Sequence, residues 1–441
     1  MDPLTLGALV AVATVLILFS GISVGVGLLV VSALFLLIFD GTRSLEMMPE
    51  IFFADLNSFT ILSIPMFIVM GAAIASTRAG ADIFEAIERW LTRVPGGLVV
   101  SNIGACALFA SMSGSSPATC AAIGKMGIPE MRKRGYPDGV AAGSIAAGGT
   151  LGILIPPSVT MIVYGIATET SIGRLFLAGL VPGIMLALIF MAWSIFASWR
   201  AGGVHVFSAR SYSLAEKLEV LPRVVPFLIV VGLVLYSMYG GIATTSETAA
   251  VGATLCLIMA IIIYRMWSPH KIWAVLRDST RESIMILFIM AGAGVFAYMM
   301  SSLFITQTIA AWIAELEVNR WVLMGLINLL LLFAGFFLPP VAVILMTAPI
   351  LMPILIAADF DPYWFAVILT INLEIGLITP PVGLNLFVIN SIAPEISLRT
   401  ILLGSLPYVM CMVLAIVILC FFPWIATGLP DLLMGPAVGG F

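Results

Sequence analysis

Apolar residues run almost without interruption from Leu4 to Ser20, Val24 to Phe39, Val224 to Tyr239 and Ile401 to Phe422. Each run is near the roughly 20 residues a helix needs to cross a bilayer. Such runs recur along the whole chain, and no stretch is left over for a soluble domain. Two interruptions are of another kind. GILIPPS (152–158) and GLITPPV (376–382) set adjacent prolines inside runs of isoleucine and leucine. Each proline removes a backbone donor and its ring collides with the preceding turn, so both segments are expected to be helices broken in mid-course. Asp82 to Arg93 differs again, with apolar residues at 83, 84, 87, 90 and 91 and charges between them. That spacing predicts an amphipathic helix lying along a membrane surface, and Thr306 to Leu316 is its expected counterpart on the other face. GISVGVG (21–27) permits a tight turn or close helix contact.

Composition agrees with the pattern. The 441 residues are 61% hydrophobic and 10% charged, against roughly 25% charged in an average soluble domain. MDPLTLGALV lacks the basic start of a secretory signal, so Leu4 onward is expected to stay in the mature chain as a first membrane helix. A scattered net charge of -4 gives no footing for nucleic acid. The five cysteines have no CxxC spacing and read as small core residues. His205 and His270 are far apart without ligand-type neighbours, and GxxxxGK[ST] is absent, which disfavours a zinc site and a self-contained ATP-driven pump.

Charge then sets an orientation. Helices alternating from an outside N-terminus, with 111–117 and 335–341 taken as hairpin tips that do not cross, place four basic clusters on one side. These are Arg78 to Arg93, Lys125 to Arg134, Arg200 to Arg223 and Arg265 to Arg281; with Arg399 they hold 16 of the 19 Lys and Arg, leaving Arg43, Arg174 and Arg320 opposite. The positive-inside rule makes the first side the cytoplasm, with both termini outside. The halves also match at an offset of 224: LFAS (108–111) meets LFAG (332–335), and GILIPPS meets GLITPPV. In this topology the first repeat enters its hairpin from the cytoplasm and the second from outside, an inverted repeat of the kind found in secondary transporters, whose sites lie where helices break near the midplane. The expected fold is an all-α membrane protein with about ten crossing helices and two re-entrant helical hairpins. Its expected parts are N-terminal scaffold helices (1–60), a first repeat of arm, hairpin and broken helix (61–200), linking scaffold helices (201–283), a second repeat (284–425) and a tail (426–441).

At membrane depth, backbone freed by a Pro-Pro break is tolerated only when buried in protein or lining a wet cavity. Freed carbonyls suit a small hard cation such as sodium, and the hairpin tips can add oxygen. The first tip, SMSGSSPAT (Ser111 to Thr119), carries Ser111, Ser113, Ser115 and Ser116; it reads as a binding tip or as a serine-rich cap or packing patch. The second, Gly335 followed by FFLPPVAV, is drier, so its oxygen must come mostly from backbone with help from Thr379. Glu374 is a carboxylate within a membrane segment, functional by default or a paired helix-end group. Asn372, Asn385 and Asn390 bracket the same break and could bind substrate or satisfy loose backbone. An ion or solute channel is the competing class. An intramembrane enzyme would need a base near the tip serines, and no histidine is there to serve.

SMSGSSPATCAAIG, GTLGILIPPS, YGIATETSIGRLFLAGLVPG and GLITPPVGLNLFV together resemble the large membrane subunit of the tripartite ATP-independent periplasmic (TRAP) transporters, over nearly the whole chain. The resemblance implies sodium-driven uptake of a small organic acid such as a C4-dicarboxylate or a sugar or keto acid. It implies a bacterial or archaeal inner-membrane location, a soluble periplasmic substrate-binding protein, and a transport domain moving as an elevator against a scaffold. It also implies a small four-helix membrane subunit, expected here as a separate chain because no such block precedes Leu4 or follows Trp424. Carried over, one sodium site would use Ser111, Gly152, Ile155 and Ser158 and the other Gly335, Gly376, Thr379 and Val382, with no organic cofactor. Ser113, Ser115, Ser116, Glu374 and Asn385 are the substrate candidates. Relatives often carry an acidic residue just after the second tip glycine, where this chain has Leu338 and Pro339.

Overall fold

A computed structural model describes residues 2–91, 94, 96–200, 212–315 and 319–436. Every regular element among them is helical. Helices α1 (Pro3–Phe19) and α2 (Val24–Phe39) form a hairpin turned at Gly21, where φ is 83°. They are followed by α3 (Thr42–Leu45), α4 (Met48–Leu56) and α5 (Ser63–Ala75). The first half continues with α6 (Ala79–Leu91), α7 (Gly97–Ser113), α8 (Ser116–Lys133), α9 (Asp138–Leu154), α10 (Val159–Ala167) and α11 (Ile172–Arg200). After the connecting α12 (Leu214–Tyr239) and α13 (Thr245–Ile262) come α14 (Pro269–Ser302), α15 (Ile305–Glu315), α16 (Arg320–Gly335), α17 (Pro340–Ala357), α18 (Pro362–Leu377), α19 (Leu384–Ile392), α20 (Leu398–Phe421) and α21 (Trp424–Met434).

From α5 to α11 the order is helix, short arm, tight helical hairpin, broken helix, long helix, and α14 to α20 repeat it. Seven helical segments among the described residues, with α9 and α10 counted together, are long and apolar enough to cross a bilayer, and α3–α5, bent by 57°, makes an eighth if taken as one span. Five more apolar helices are shorter, at 10–17 residues, among them α7, α16 and α18; the expected ten or so crossings draw on these as well. The arms run Ala79–Leu91 and Ile305–Glu315. The expected arm ends at Arg93 and Leu316 lie outside the described residues, as do His205 and the C-terminal Phe441.

Hydropathy explains which helices face outward. Leu16 on α1, Ile229 on α12, Leu330 on α16 and Met410 on α20 are each more than half exposed, the arrangement of a surface solvated by lipid rather than water. The interior holds the broken helices instead. Every residue of α9 from Ala141 to Leu154 is buried, and so is every residue of α18 from Trp364 to Leu377. Small residues let backbones meet: a Cβ at Gly143 would stand 2.2 Å from the Gly404 carbonyl oxygen, and one at Gly404 only 1.9 Å from that of Gly139. In the scaffold, Gly292 on α14 backs onto Gly25 of GISVGVG, with a Cβ there 2.8 Å from the Gly25 oxygen. Such contacts replace hydrophobic driving force where the surroundings are as apolar as the side chains. At the end of the first hairpin, Arg134 pairs with Glu88 on the α6 arm and with Glu130 one turn back.

Candidate functional site: two helix breaks and the cavity between them

The hairpin α7–α8 turns at Gly114, whose φ of 56° lies in the left-handed region that glycine enters without steric cost. Ser115 then caps α8, its hydroxyl accepting from the Ala118 amide at 3.5 Å. The tip is wedged against the first Pro-Pro break. A Cβ at Gly152 would lie 2.7 Å from the Ser115 carbonyl oxygen, one at Gly114 would lie 2.9 Å from that of Pro157, and on the far side one at Gly71 of α5 would lie 2.4 Å from that of Ser113. Inside the tip, the Ser113 and Thr119 hydroxyls share a hydrogen bond of 2.7 Å, and Thr119 also donates to the Ser115 carbonyl at 2.9 Å.

The second tip and break meet in the same manner. A Cβ at Gly376 would be 2.4 Å from the Gly335 carbonyl oxygen. The Val382 amide donates to the Phe336 carbonyl at 3.3 Å, joining the break to the tip. Both breaks contain a cis peptide, Pro156–Pro157 and Pro380–Pro381. In a helix each carbonyl accepts from the amide four residues on. For Gly152, Gly335 and Gly376 that residue is Pro156, Pro339 and Pro380, which has no N–H. All three glycines were sodium candidates, and each has a carbonyl deprived of its helical donor by chemistry alone.

The hydroxyls of the same set are spent in a way that suits a cation. Ser111 donates to the Leu108 carbonyl at 2.7 Å, Ser158 to that of Ile153 at 2.6 Å, and Thr379 to that of Ile375 at 2.6 Å. With its proton committed to a carbonyl, each oxygen can still accept elsewhere; that of Ser158 already takes the Met161 amide at 3.4 Å as the cap of α10 and keeps one lone pair. Hydroxyl and carbonyl oxygens are the donors hard cations take, so these residues fit sodium. Among the described residues no three of His, Cys, Asp and Glu come together as a metal-binding group. Ser158 and Ile155 are buried in the first break, whereas Val382 is 42% exposed.

A cavity of about 600 Å³ lies between the two tips. Gly114 to Pro117 and Pro339 to Ala342 line it from the tips, Ile153, Val159, Thr160, Leu377 and Leu384 from the breaks, and Ile22 to Gly25 with α14 from the scaffold side. Five helices begin on this cavity, α8, α10, α17 and α19 from the hairpins and breaks and α2 from the scaffold side. The first amides of a helix have no internal partner and carry a partial positive charge. No Lys, Arg or His is among the lining residues, and Glu282 on α14 is the one charged side chain there.

Of the substrate candidates, Ser115 and Ser116 line the cavity, while Ser113, Glu374 and Asn385 do not. Asn385 donates to the Ser116 hydroxyl at 2.7 Å, leaving its own carbonyl oxygen buried without a hydrogen-bond partner among the described residues. Glu374 is 0% exposed and neither carboxylate oxygen finds a partner there. Asn372 donates to the carbonyl and side-chain oxygens of Asn328, both at 2.9 Å, while its own side-chain oxygen, like that of Asn385, is buried without a partner among the described residues; Asn390 donates to the Ile396 carbonyl at 3.0 Å. Gly71 and Glu282 were not legible as site residues in the sequence. Gly71 sits in an ordinary apolar helix, and Glu282 directly follows Arg281, the end of a basic cluster.

Known proteins share this chain's pattern. The family described as tripartite ATP-independent periplasmic transporter, DctM component, matches residues 10–425. A C4-dicarboxylate TRAP transporter large permease protein from Pseudomonas aeruginosa is 38% identical over 401 residues, 90% of this chain and 92% of that one. A sialic acid TRAP transporter large permease from Vibrio cholerae is 30% identical over 419 residues, 95% of this chain and 97% of that one. Among solved structures, the YdaH transporter of Alcanivorax borkumensis superposes with a TM-score of 0.67 over 95% of this chain and 99% of its own, at 16% identity, a likeness of fold.

Proposed function

This chain belongs to the DctM family of tripartite ATP-independent periplasmic transporters, and from that premise we propose that it imports a small organic acid by sodium symport. It is a transporter component and not an enzyme, a multi-pass membrane protein whose family works with a small membrane subunit and a periplasmic binding protein. The observation that carries the proposal is the convergence of five helix N-termini on a cavity lined by no cationic side chain. An organic anion placed there is met by amide donors and helix dipoles. Behind the same walls, the proline-freed carbonyls of Gly152, Gly335 and Gly376 and the hydroxyls of Ser111, Ser158 and Thr379 supply oxygen for sodium. A cation held there would add positive charge close to the anion, which couples the binding of the two.

The matching element orders of α5–α11 and α14–α20 support an inverted repeat, with hairpins and broken helices as the moving part and α1–α5 and α12–α14 as its frame. In the orientation set by the basic clusters, the α1–α2 turn lies on the cytoplasmic side. It rims the cavity, which supports an inward-facing state. The C4-dicarboxylate and sialic acid relatives bracket the substrate as an acid of that general size.

Purified together with its small membrane subunit, reconstituted into liposomes and supplied with the binding protein, the chain is expected to accumulate substrate against its gradient only with sodium outside. Uptake of equal extent in potassium would overturn the sodium symport. Equilibration without accumulation would point to a channel.

A further inference from the structure

We propose that Glu282 reads the end of the transported acid opposite its carboxylate, selecting substrates whose far end carries hydrogen-bond donors over plain dianions. The inference rests on the organic-acid reading above and narrows it to a substrate class. Glu282, Met285, Ile286 and Ile289 all line the cavity from α14. Their spacing of three, four and seven residues places them in one stripe along the helix, apolar except at its Glu282 end. The side chain is exposed and has no ion pair or hydrogen bond with any described residue, so nothing in the fold occupies its oxygens. The cavity is therefore polarised. Four of the five helix starts and the Ser115 and Ser116 hydroxyls stand on the hairpin side, and the scaffold side holds the start of α2 and the cavity's one charged group, the acceptor-only carboxylate of Glu282.

An acid bound with its carboxylate at the helix starts presents its other end to α14. Hydroxyl or ammonium groups there can donate to Glu282, whereas a second carboxylate meets a like charge across a cavity with few screening groups. The preferred cargo is an acid bearing hydroxyl or ammonium groups, and a C4-dicarboxylate is disfavoured.

The test is direct binding to the purified chain with its small membrane subunit, in saturating sodium at neutral pH, by titration calorimetry. Three probes separate the donors: D-gluconate carries hydroxyls, 4-aminobutyrate an ammonium, and succinate a second carboxylate. Wild type is expected to bind gluconate or aminobutyrate more tightly than succinate, and the better of the two identifies the donor. Glu282→Gln is expected to shift the preference toward succinate by roughly tenfold or more, and Glu282→Lys further in the same direction. Preferences unchanged across the three proteins, with binding measurable, would sink the role of Glu282 and leave the organic-acid reading standing. Absence of binding for every acid in every protein would remove that reading, and this inference with it.

Discussion

The side-chain amide of Asn385, at the start of α19, donates to the hydroxyl of Ser116, at the start of α8, across 2.7 Å in a fully buried setting. One residue follows the second Pro-Pro break and the other belongs to the first hairpin tip. Asn385 also reaches the Ala146 carbonyl on α9 at 3.4 Å. The break of one half is thus fastened to the tip and broken helix of the other, as it must be if both sites are to travel as one body.

Removing Asn385 leaves the buried Ser116 hydroxyl without this partner, and removing Ser116 leaves the Asn385 amide only its longer bond to the Ala146 carbonyl; a buried polar group deprived of its bond costs about 1–3 kcal/mol. Asn385→Ala and Ser116→Ala are each expected to lower the melting temperature of the purified protein. The double variant should lose less than the sum of the two, because the second change removes a group already without its partner. Additive losses would show that the two residues do not act as a pair.

Thr379→Val replaces a hydroxyl by a methyl of nearly the same shape. Under the proposed sodium assignment, this loss of one ligand is expected to raise the apparent sodium constant of uptake about ten- to a hundredfold while the protein stays monodisperse. Ser111→Ala and Ser158→Ala should act in the same direction at the other break. If these hydroxyls only restrain the carbonyls of Leu108, Ile153 and Ile375, the melting temperature falls and the sodium curve does not move.

Glycine contacts make the sharpest stability prediction. Gly376→Ala drives a methyl to within 2.4 Å of the Gly335 carbonyl oxygen, a backbone atom that cannot swing aside, and overpacking of this kind costs about 1–3 kcal/mol. At Gly428 a Cβ would meet nothing within 4 Å, so Gly428→Ala is expected to be neutral. Thermal unfolding of the two variants beside wild type checks the contrast.

Orientation is open to a labelling experiment. Lys133 and Asp359 are both exposed, and the basic clusters place the first in the cytoplasm and the second outside. Single cysteines at these positions in a cysteine-free background should react differently with an impermeant thiol reagent added to intact spheroplasts, 359 labelling and 133 staying protected. The opposite pattern would invert the topology and the direction in which the cavity opens.

The membrane character, the two broken helices, the serine-bearing tip and the short helices α6 and α15 could all be read from the chain, because each follows from chemistry local to a few residues. A proline lacks its N–H wherever it stands, so GILIPPS and GLITPPV free the Gly152 and Gly376 carbonyls in any fold that keeps those helices. The repeat was legible for the same reason, since both halves use the same local device. What faces what was not legible. A helix apolar on all sides has no polar face to fix its rotation, so hydropathy could not tell which side of α9, α14 or α18 turns inward. Only packing brings Asn385 to Ser116, Gly335 to Gly376, and Glu282 to the far wall of the cavity, because each contact joins segments whose relative placement depends on all the helices between them.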